Sequence, residues 1–400
     1  MTHSPVHVMC IVGARPNFMK AAPLIEALNG RKWATITLIH TGQHYSRAMS
    51  DLFFDALSLP KPHVDLQVGS GSHGEQTGQI MIRLEPLLQR HRPDLVVVFG
   101  DVNSTVAAAL CAAKLGIPVA HVEAGLRSFD RTMPEELNRV VTDQVSEFLF
   151  TTERSARENL IREGLAEAKI FFVGNVMADT LLKHVEQARA LQTRRTYGLS
   201  HQAYGLLTLH RPSNVDDPHT FKEIMAAVKE LAEDVPILFP CHVRTRERLA
   251  VMPNLLGTHV GRQGIILLEP LGYLEFLSLM CDAQLVLTDS GGIQEETTVL
   301  GVPCVTLRHN TERPVTIEHG TNTLVGTSRT RIVEAGRAVL RRHNPTRRTP
   351  DLWDGHAAER IVDVLERHFH ADSSESERTD SAPMAYSSSC HSHIHVQKVQ

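Results

Sequence analysis

The chain has 400 residues, of which 42% are hydrophobic and 22% charged, a composition that excludes a fully disordered or collagen-like protein. Its 41 lysines and arginines nearly balance its 45 aspartates and glutamates, and the net charge of −4 argues against a protein that coats nucleic acid. No apolar run reaches the roughly 18 residues of a membrane span, so no membrane partner is expected. At about 150 residues per domain, the length predicts two or three domains.

The N-terminal segment and the cysteines bear on the compartment. The first residues lead directly into a strand-like run without the apolar core of a signal peptide. Six cysteines are scattered without a C-x-x-C pair, and five lie in apolar surroundings typical of reduced thiols. We therefore expect a cytoplasmic protein. Because no H-E-x-x-H or similar ligand spacing occurs, we expect no metal site.

Short β-branched runs alternate with helical segments, which predicts parallel sheets covered by helices, an α/β fold. The first series of strands is predicted at Val6–Val12, Ala34–His40, Leu95–Gly100, Val119–Glu123 and Phe148–Thr151. The second series is predicted at Tyr204–Leu209, Ile237–Cys241, Ile265–Leu268, Leu285–Thr288 and Cys304–Leu307. Helices are predicted at Ala21–Leu28, Gln76–His91, Ser104–Leu115 and Phe221–Glu233.

The two series predict two doubly wound domains, over residues 1–174 and 175–355, with a hinge near Gly174–Asp179. A C-terminal helix is expected over residues 356–370, packed back on the N-terminal domain. Residues 371–400 are serine-rich and lack periodicity, which predicts a disordered tail.

Ligands of such sheets bind beyond the carboxyl ends of the strands. Gly13 to Asn17 follow the first strand, and Arg15 and Lys20 near a helix start suit a diphosphate, although a solvated turn also explains them. Ser290, Gly291 and Gly292 follow a later strand and favour close approach to a phosphate, the alternative being an ordinary capped helix start. Glu295 or Glu296, one turn later, then suits ribose hydroxyls.

Carboxylates also follow neighbouring strands. Asp101 and Glu123 each end an apolar strand, while Glu135 and Glu136 follow Pro134 at a predicted helix start. Acids that converge on one cleft divide into proton donor and acceptor, because burial and repulsion separate their pKa values. For Glu135 and Glu136, a first-turn position favoured by the helix dipole is the competing explanation.

Histidine and arginine follow two strands of the second series. His210 with Arg211, and His242 with Arg244, occupy these positions. A histidine at such a point is more often structural, whereas a neighbouring arginine favours anion binding.

These motifs occur together in an order that closely resembles the non-hydrolysing UDP-N-acetylglucosamine 2-epimerases. The resemblance runs from about residue 6 to residue 370. It is carried by Gly13–Lys20 (GARPNFMK), Gly42–His44 (GQH), Gly100-Asp101, His121–Arg127 (HVEAGLR), Pro134–Arg139 (PEELNR), His210-Arg211, Asp289–Glu296 (DSGGIQEE) and Thr311–Pro314 (TERP).

The resemblance implies two Rossmann-like domains of the glycosyltransferase-B type, a UDP-sugar substrate, no cofactor and a homodimer. It implies four catalytic residues: Asp101, Glu123, Glu135 and His210. Residues implied to bind UDP are Arg15, Lys20, Phe276, Ser290, Gly291, Gly292, Glu296 and Arg313. A candidate second-substrate site comprises Gln43, His44 and His242. The implied reaction removes the C2 proton, expels UDP to leave 2-acetamidoglucal, and re-adds UDP after reprotonation on the opposite face.

One departure from the family pattern concerns the segment from Leu209 to Ser213, where typical bacterial members carry Gly-His-Arg-Arg-Glu. The missing second arginine bears on activation by a second substrate molecule and is compatible with a different sugar, such as a diacetamido-uronate. A hydrolysing 2-epimerase and a UDP-sugar glycosyltransferase of the same architecture remain alternatives. A non-catalytic nucleotide-sugar sensor would not need the three carboxylates.

Overall fold

The first seven strands form one parallel sheet in the part of the chain that the structure describes. The structure is a computed structural model and describes residues 4–43, 54, 57–241, 243–252, 264–341 and 348–379. The strands are β1 (Val6–Val12), β2 (Ala34–His40), β3 (Val64–Asp65), β4 (Leu95–Phe99), β5 (Val119–Ala124), β6 (Phe148–Thr151) and β7 (Ile170–Phe172). Their order is β3-β2-β1-β4-β5-β6-β7. All five residues of β4 are buried, as expected for a strand covered on both faces.

Helices connect these strands and cover the sheet. They are α1 (Arg15–Asn29), α2 (His73–His91), α3 (Asn103–Lys114), α4 (Pro134–Val145) and α5 (Arg154–Arg162). Ser72 caps α2, since its hydroxyl accepts from the Glu75 amide. Helix α1 begins at Arg15, so Arg15 lies in its first turn rather than in the preceding loop.

A second parallel sheet repeats the same strand order over the second half of the chain. Its strands are β8 (Gly205–Thr208), β9 (Ile237–Pro240), β10 (Ile265–Leu268), β11 (Leu285–Thr288), β12 (Cys304–Thr306) and β13 (Asn322–Leu324). Their order is β10-β9-β8-β11-β12-β13. The associated helices are α6 (Val176–Leu191), α7 (Pro212–Val215), α8 (Pro218–Asp234), α9 (Val243–Ala250), α10 (Tyr273–Asp282), α11 (Gly291–Leu300), α12 (Val315–Glu318) and α13 (Arg329–Arg341).

The predicted α/β class and all ten predicted strands are confirmed, with ends that differ by at most one residue. The short strands β7 and β13 were not predicted. The predicted hinge region coincides with the start of α6, where Asn175 caps the helix through the Met177 amide.

Both sheets belong to one compact unit that ends at Val362, and a second unit begins at Asp363. Helix α14 (Ala357–Thr379) starts in the first unit and continues past the predicted end at residue 370. Its first turn is capped by Asp179 of α6, whose carboxylate accepts from the amides of Ala357 and Ala358. Just before it, the Trp353 indole donates to the Thr152 carbonyl at 2.9 Å. No helix of the described residues is both long and apolar enough to cross a membrane.

Candidate functional site

Both sheets change winding direction at one point, between β1 and β4 in the first and between β8 and β11 in the second. A crevice opens at the carboxyl ends of the strands at such a point. Arg15 and Asp101 follow β1 and β4, while His210 and Ser290 follow β8 and β11. The predicted residues therefore lie where this topology places a ligand.

A buried ion cluster joins the two halves of the chain at Glu123. Lys20 Nζ lies 2.5 Å from Glu123 Oε2, and Arg313 Nη2 lies 2.9 Å from Glu123 Oε1. All three side chains are nearly inaccessible to solvent. Arg313 also contacts Glu295 Oε1 at 3.0 Å and Glu312 Oε1 at 2.5 Å. One guanidinium thus faces three carboxylates, so the end of β5 and the segment after β12 are held together by charge.

The electrostatics of this cluster follow from its burial. Burial alone lowers the pKa of Arg313, but Glu295, Glu123 and Glu312 together raise it well above its usual value. Burial raises the pKa of Glu312, yet Arg313 and Arg308 bring it well below the usual value. Arg313 and Glu312 are therefore both charged at neutral pH.

Asp101 is held by an arginine that the sequence analysis did not single out. Arg139 of α4 donates to Asp101 Oδ2 and, through Nη2, to Glu136 Oε2 at 2.5 Å. Burial raises the pKa of Asp101, but Arg139 and Lys20 lower it below its usual value. Asp101 is therefore a carboxylate at neutral pH. In the sequence, the signal for this arginine was the i,i+3 spacing of Glu136 and Arg139 within PEELNR, which places both side chains on one face of a helix.

The adjacent acids Glu135 and Glu136 have different environments. Glu136 is buried and accepts from the amides of Ser128 and Phe129 at 2.9 and 2.8 Å. It therefore anchors the loop between β5 and α4. Glu135 lies half-buried in the first turn of the same helix. This arrangement leaves Glu135 as the more accessible carboxyl, as its predicted role requires.

Asp289 organises the predicted histidine loop of the second sheet. Its carboxylate accepts from the amides of His210 and Arg211, and Asn214 Nδ2 donates to Oδ2 at 3.2 Å. His210 Nδ1 lies 3.3 Å from Asp289 Oδ1, and about half of the histidine side chain is exposed. Asp289 thus holds His210 at the mouth of the site.

The predicted phosphate contacts lie at the start of α11. Ser290 is the N-cap residue but makes no side-chain capping hydrogen bond, and Gly291 and Gly292 are half-exposed. A Cβ on Gly291 would lie 2.6 Å from Arg313 Nη1, so only glycine allows the guanidinium to come this close to the helix. The first amides of α11 and the Arg313 side chain therefore occupy one small region.

Two consecutive glutamates are buried within α11. Burial raises the pKa of both Glu295 and Glu296 to about 7, although Arg313 opposes the shift at Glu295 and Arg15 opposes it at Glu296. Oε1 of Glu295 accepts from Asn175 Nδ2 at 3.0 Å. Oε1 of Glu296 is buried without a hydrogen-bond partner. Glu296 therefore has an acceptor oxygen still to be satisfied, which fits its predicted contact with a ribose hydroxyl.

The remaining predicted residues have less direct geometry. Phe276 is buried on α10, with 8% of its surface exposed. Gln43 is buried after β2, and its Oε1 accepts from the amide and hydroxyl of Ser104 at 3.0 and 2.6 Å. Gln43 thereby fastens its loop to α3. His44 and His242, the other members of the candidate second-substrate site, lie outside the described residues.

A further buried acid lies beside a separate cavity of about 130 Å³. Glu153 precedes α5, and burial raises its pKa to about 7. Its Oε1 accepts from Ser155 Oγ, while Oε2 has no hydrogen-bond partner. Because folding raises the pKa of Glu153, the protonated side chain is favoured in the folded state. Its contribution to stability is fully present below the pKa of the unfolded chain and is lost as pH rises through about 7.

Replacing Glu153 with glutamine should therefore flatten the pH dependence of stability. The free energy of unfolding of the parent should decline between about pH 4.5 and 7, and Glu153→Gln should remove about 3 kcal/mol of that decline. Urea unfolding at pH 5 and pH 7.5 measures the difference. Glu158→Gln, which alters an exposed acid on the same helix, should keep the parental decline. An unchanged slope in Glu153→Gln would contradict this interpretation.

The strand orders and the two sets of strand-end groups define an α/β protein with two Rossmann-like sheets of the glycosyltransferase-B type. Comparison with solved structures agrees. The chain aligns with UDP-GlcNAc 2-epimerase from Methanocaldococcus jannaschii, in complex with UDP-GlcNAc and UDP, with a TM-score of 0.83 and 45% identity. The alignment covers 90% of this chain and 100% of that one.

The sequence comparisons establish the family. The family model described as UDP-N-acetylglucosamine 2-epimerase matches residues 26–366. The UDP-N-acetylglucosamine 2-epimerase of M. jannaschii is 46% identical, over 89% of this chain and 97% of the relative. A UDP-2,3-diacetamido-2,3-dideoxy-D-glucuronate 2-epimerase from Pseudomonas aeruginosa is 42% identical, over 83% and 92%. The chain belongs to the UDP-N-acetylglucosamine 2-epimerase family, a family of isomerases, as the sequence motifs indicated.

Proposed function

We propose that this protein interconverts UDP-N-acetylglucosamine and UDP-N-acetylmannosamine without net hydrolysis. The observation that carries the proposal is the cluster around Glu123, which combines carboxylates with the cations Lys20 and Arg313 at the meeting point of the two sheets. Proton transfer at C2 needs carboxylates, and a departing diphosphate needs cations beside them. Membership of the family supports the same activity.

The reaction is balanced by two proton transfers and one leaving group. A carboxylate removes the C2 proton, the C1–O bond to UDP breaks and a C1=C2 double bond forms, which leaves 2-acetamidoglucal. UDP then re-forms the C1–O bond as C2 receives a proton on its opposite face. Asp101, Glu123 and Glu135 serve as the proposed acid and base groups, with His210 at the mouth of the site.

Arg313 connects diphosphate binding to Glu123 in this proposal. Arg313 Nη2 and Glu123 Oε1 form a buried ion pair at 2.9 Å, so the two charges neutralise each other. A diphosphate offers a guanidinium a doubly charged, bidentate partner, which is a stronger acceptor than one carboxylate. Substrate binding then draws Arg313 from Glu123 toward the start of α11, where the amides after Ser290 and the exposed Arg15 complete the anion site.

The test is incubation with UDP-N-acetylglucosamine alone in D₂O, followed by NMR. The proposal expects deuterium at C2 and formation of UDP-N-acetylmannosamine, with UDP and free sugar remaining minor. Release of UDP with free N-acetylmannosamine would instead identify a hydrolysing 2-epimerase. Absence of both deuterium and the new sugar would overturn the proposal, and sugar transfer to an added acceptor would identify a glycosyltransferase.

A second candidate substrate is a UDP-diacetamido-uronate, which the relative from P. aeruginosa is named for. The charges of the site favour an uncharged C6 group. Each of the buried cations Lys20, Arg139, Arg308 and Arg313 already faces a carboxylate. A uronate would add a third negative charge to the diphosphate, and none of these four buried cations is left unpaired to receive it. We therefore expect the higher kcat/KM with UDP-N-acetylglucosamine, measured against the uronate in the same NMR assay.

The anion site is tested by Arg15→Ala. Loss of one charge-assisted contact should weaken UDP binding by roughly tenfold or more, corresponding to about 1.5–3 kcal/mol. Arg15 lies in the first turn of α1 and its charge also opposes the rise in the pKa of the buried Glu296, so a modest fall in melting temperature should accompany the loss of affinity. Titration calorimetry with UDP measures the affinity, and Arg90→Ala, an exposed arginine in the last turn of α2, is the control. Parental affinity in Arg15→Ala would refute the assignment.

We also propose a cytoplasmic homodimer. Ile82 on α2 and Leu137 and Val141 on α4 leave large apolar surfaces exposed, and both helices pack against α3. Cys10 and Cys304 are buried thiols, in keeping with a reducing compartment. Sedimentation should give twice the chain mass of 44.4 kDa, and a monomer at all concentrations would contradict the dimer.

A further inference from the structure

His121 of β5 is fully buried and lies between two hydrogen-bond acceptors. Its Nδ1 is 2.6 Å from Asp143 Oδ1, and its Nε2 is 2.8 Å from the carbonyl oxygen of Gly100. Asp143 comes from α4, and Gly100 lies between the end of β4 and Asp101. One imidazole therefore bridges β4, β5 and α4, the three elements that carry the proposed carboxylates.

The hydrogen-bond partners of His121 indicate what its two ring nitrogens contact. A backbone carbonyl can only accept a hydrogen bond. Asp143 is an ionised acceptor, because its Oδ2 receives Arg127 Nη2 at 2.6 Å and the Gly125 amide at 3.1 Å. Burial raises the pKa of Asp143, but His121 and Arg127 bring it below its usual value. Each ring nitrogen of His121 therefore faces an oxygen acceptor.

The charged groups around this ring come from every neighbouring element. Asp143 faces it from α4, and Arg127, from the loop after β5, faces Asp143. Arg127 is held in turn by Glu163 at the end of α5. The His121 ring and the charged groups of Asp143 and Arg127 are inaccessible to solvent. Dissolved salt therefore screens these charges little, and substrate does not reach them.

The backbone next to His121 has an unusual conformation. Glu123 has a φ of +76°, in the left-handed region that side chains other than glycine rarely adopt. The pairing of β5 with β6 shifts register between Val122 and Ala124, which is a β-bulge at Glu123. Such a bulge redirects one side chain and persists only where its surroundings hold it. His121 and Gly125, on either side, are both tied to Asp143.

We propose that His121 and Asp143 are positioning residues for epimerisation: a buried, hydrogen-bonded histidine–aspartate pair that holds the bulge at Glu123 and the strand end at Asp101 in register. The inference rests on the proposed function. The pair never touches substrate. It acts through backbone, since His121 grips the Gly100 carbonyl before Asp101 and Asp143 grips the amide of Gly125, two residues after Glu123.

Loss of this pair should affect turnover more than binding. The proposed UDP contacts at Arg15, Ser290 and Gly291 belong to α1 and the start of α11, whereas His121 and Asp143 belong to β5 and α4. A small displacement of catalytic carboxylates lowers the rate steeply because proton transfer depends on distance and direction. A merely structural residue would instead lower stability without separating kcat from UDP affinity.

The experiment compares the full-length parent with His121→Asn and Asp143→Asn. C2 deuterium exchange gives kcat and KM, titration calorimetry gives the affinity for UDP, and thermal melting gives stability. Tyr204→Phe is the matched control, because it removes a buried hydrogen bond of 2.6 Å to the Leu279 carbonyl beneath the second sheet. Parent activity is measured first, so failure of the parent would refute the proposed function rather than this inference.

We expect kcat to fall at least about tenfold in both variants, which corresponds to about 1.4 kcal/mol in the barrier, while the Kd for UDP stays within about threefold. Tyr204→Phe should melt earlier than the parent but keep parental kcat. The inference is overturned if folded His121→Asn keeps kcat within about twofold, or if UDP affinity falls in parallel with kcat. Unfolding of both variants would assign the pair to fold stability alone and would likewise overturn it.

Discussion

Glu123→Gln is expected to abolish C2 proton exchange while UDP still binds as tightly as to the parent, or more tightly. The amide keeps the shape of the side chain but cannot accept the C2 proton, and loss of a positioned acid–base group typically lowers rate by about 10²–10⁴. Arg313 loses a charged partner at 2.9 Å and becomes more available to the diphosphate. Deuterium exchange and calorimetry with UDP measure the two effects separately.

A buried carboxylate elsewhere in the chain controls for the cost of removing charge. Asp179→Asn alters an acid that caps α14 through two amides, and it should reduce stability without changing exchange. Lys20 is buried beside Glu123, so Glu123→Gln also leaves the Lys20 ammonium poorly paired. The melting temperature of this variant should therefore fall. Parental exchange in Glu123→Gln, or a loss of UDP affinity that parallels the loss of exchange, would remove Glu123 from the proposed chemistry.

The architecture was largely predictable because its signals are local. Continuous apolar runs such as Leu95–Phe99 mark buried parallel strands, and helical spacing marks the segments between them. Helix α1 begins at Arg15, six residues before the predicted Ala21, and Pro16 is compatible with its first turn.

The site was predictable as a set of strand-end residues, whereas its pairing was not. Nothing in TERP indicates that Arg313 reaches Glu123, since the two positions lie far apart in sequence and meet only through the fold. Likewise PEELNR offers two adjacent glutamates, and only the amides of Ser128 and Phe129 show that Glu136 is the one held in a loop. Long-range contacts of this kind depend on how the two sheets meet, which periodicity does not encode.

Arg313→Gln should destabilise the protein by about 3–5 kcal/mol and weaken UDP binding, because it leaves buried carboxylates without their shared cation. Arg313 lowers the folded-state pKa of both Glu295 and Glu312, so its removal raises those values. A group with a raised folded pKa contributes stability that is present below its unfolded value and lost as pH rises through the folded value. The loss in free energy of unfolding caused by Arg313→Gln should therefore be larger at pH 8 than at pH 5.

Urea unfolding of the parent and Arg313→Gln at both pH values measures this deficit. Arg337→Gln is the control, because its ion pairs with Glu230 and Asp234 lie at the surface, where solvent screens them, and should contribute little to stability. Arg313→Lys should restore part of the stability but less of the UDP affinity, since an ammonium neutralises charge without presenting a planar fork to three carboxylates or a diphosphate. A deficit equal at pH 5 and pH 8, or no larger than that of Arg337→Gln, would contradict a shared-cation role for Arg313.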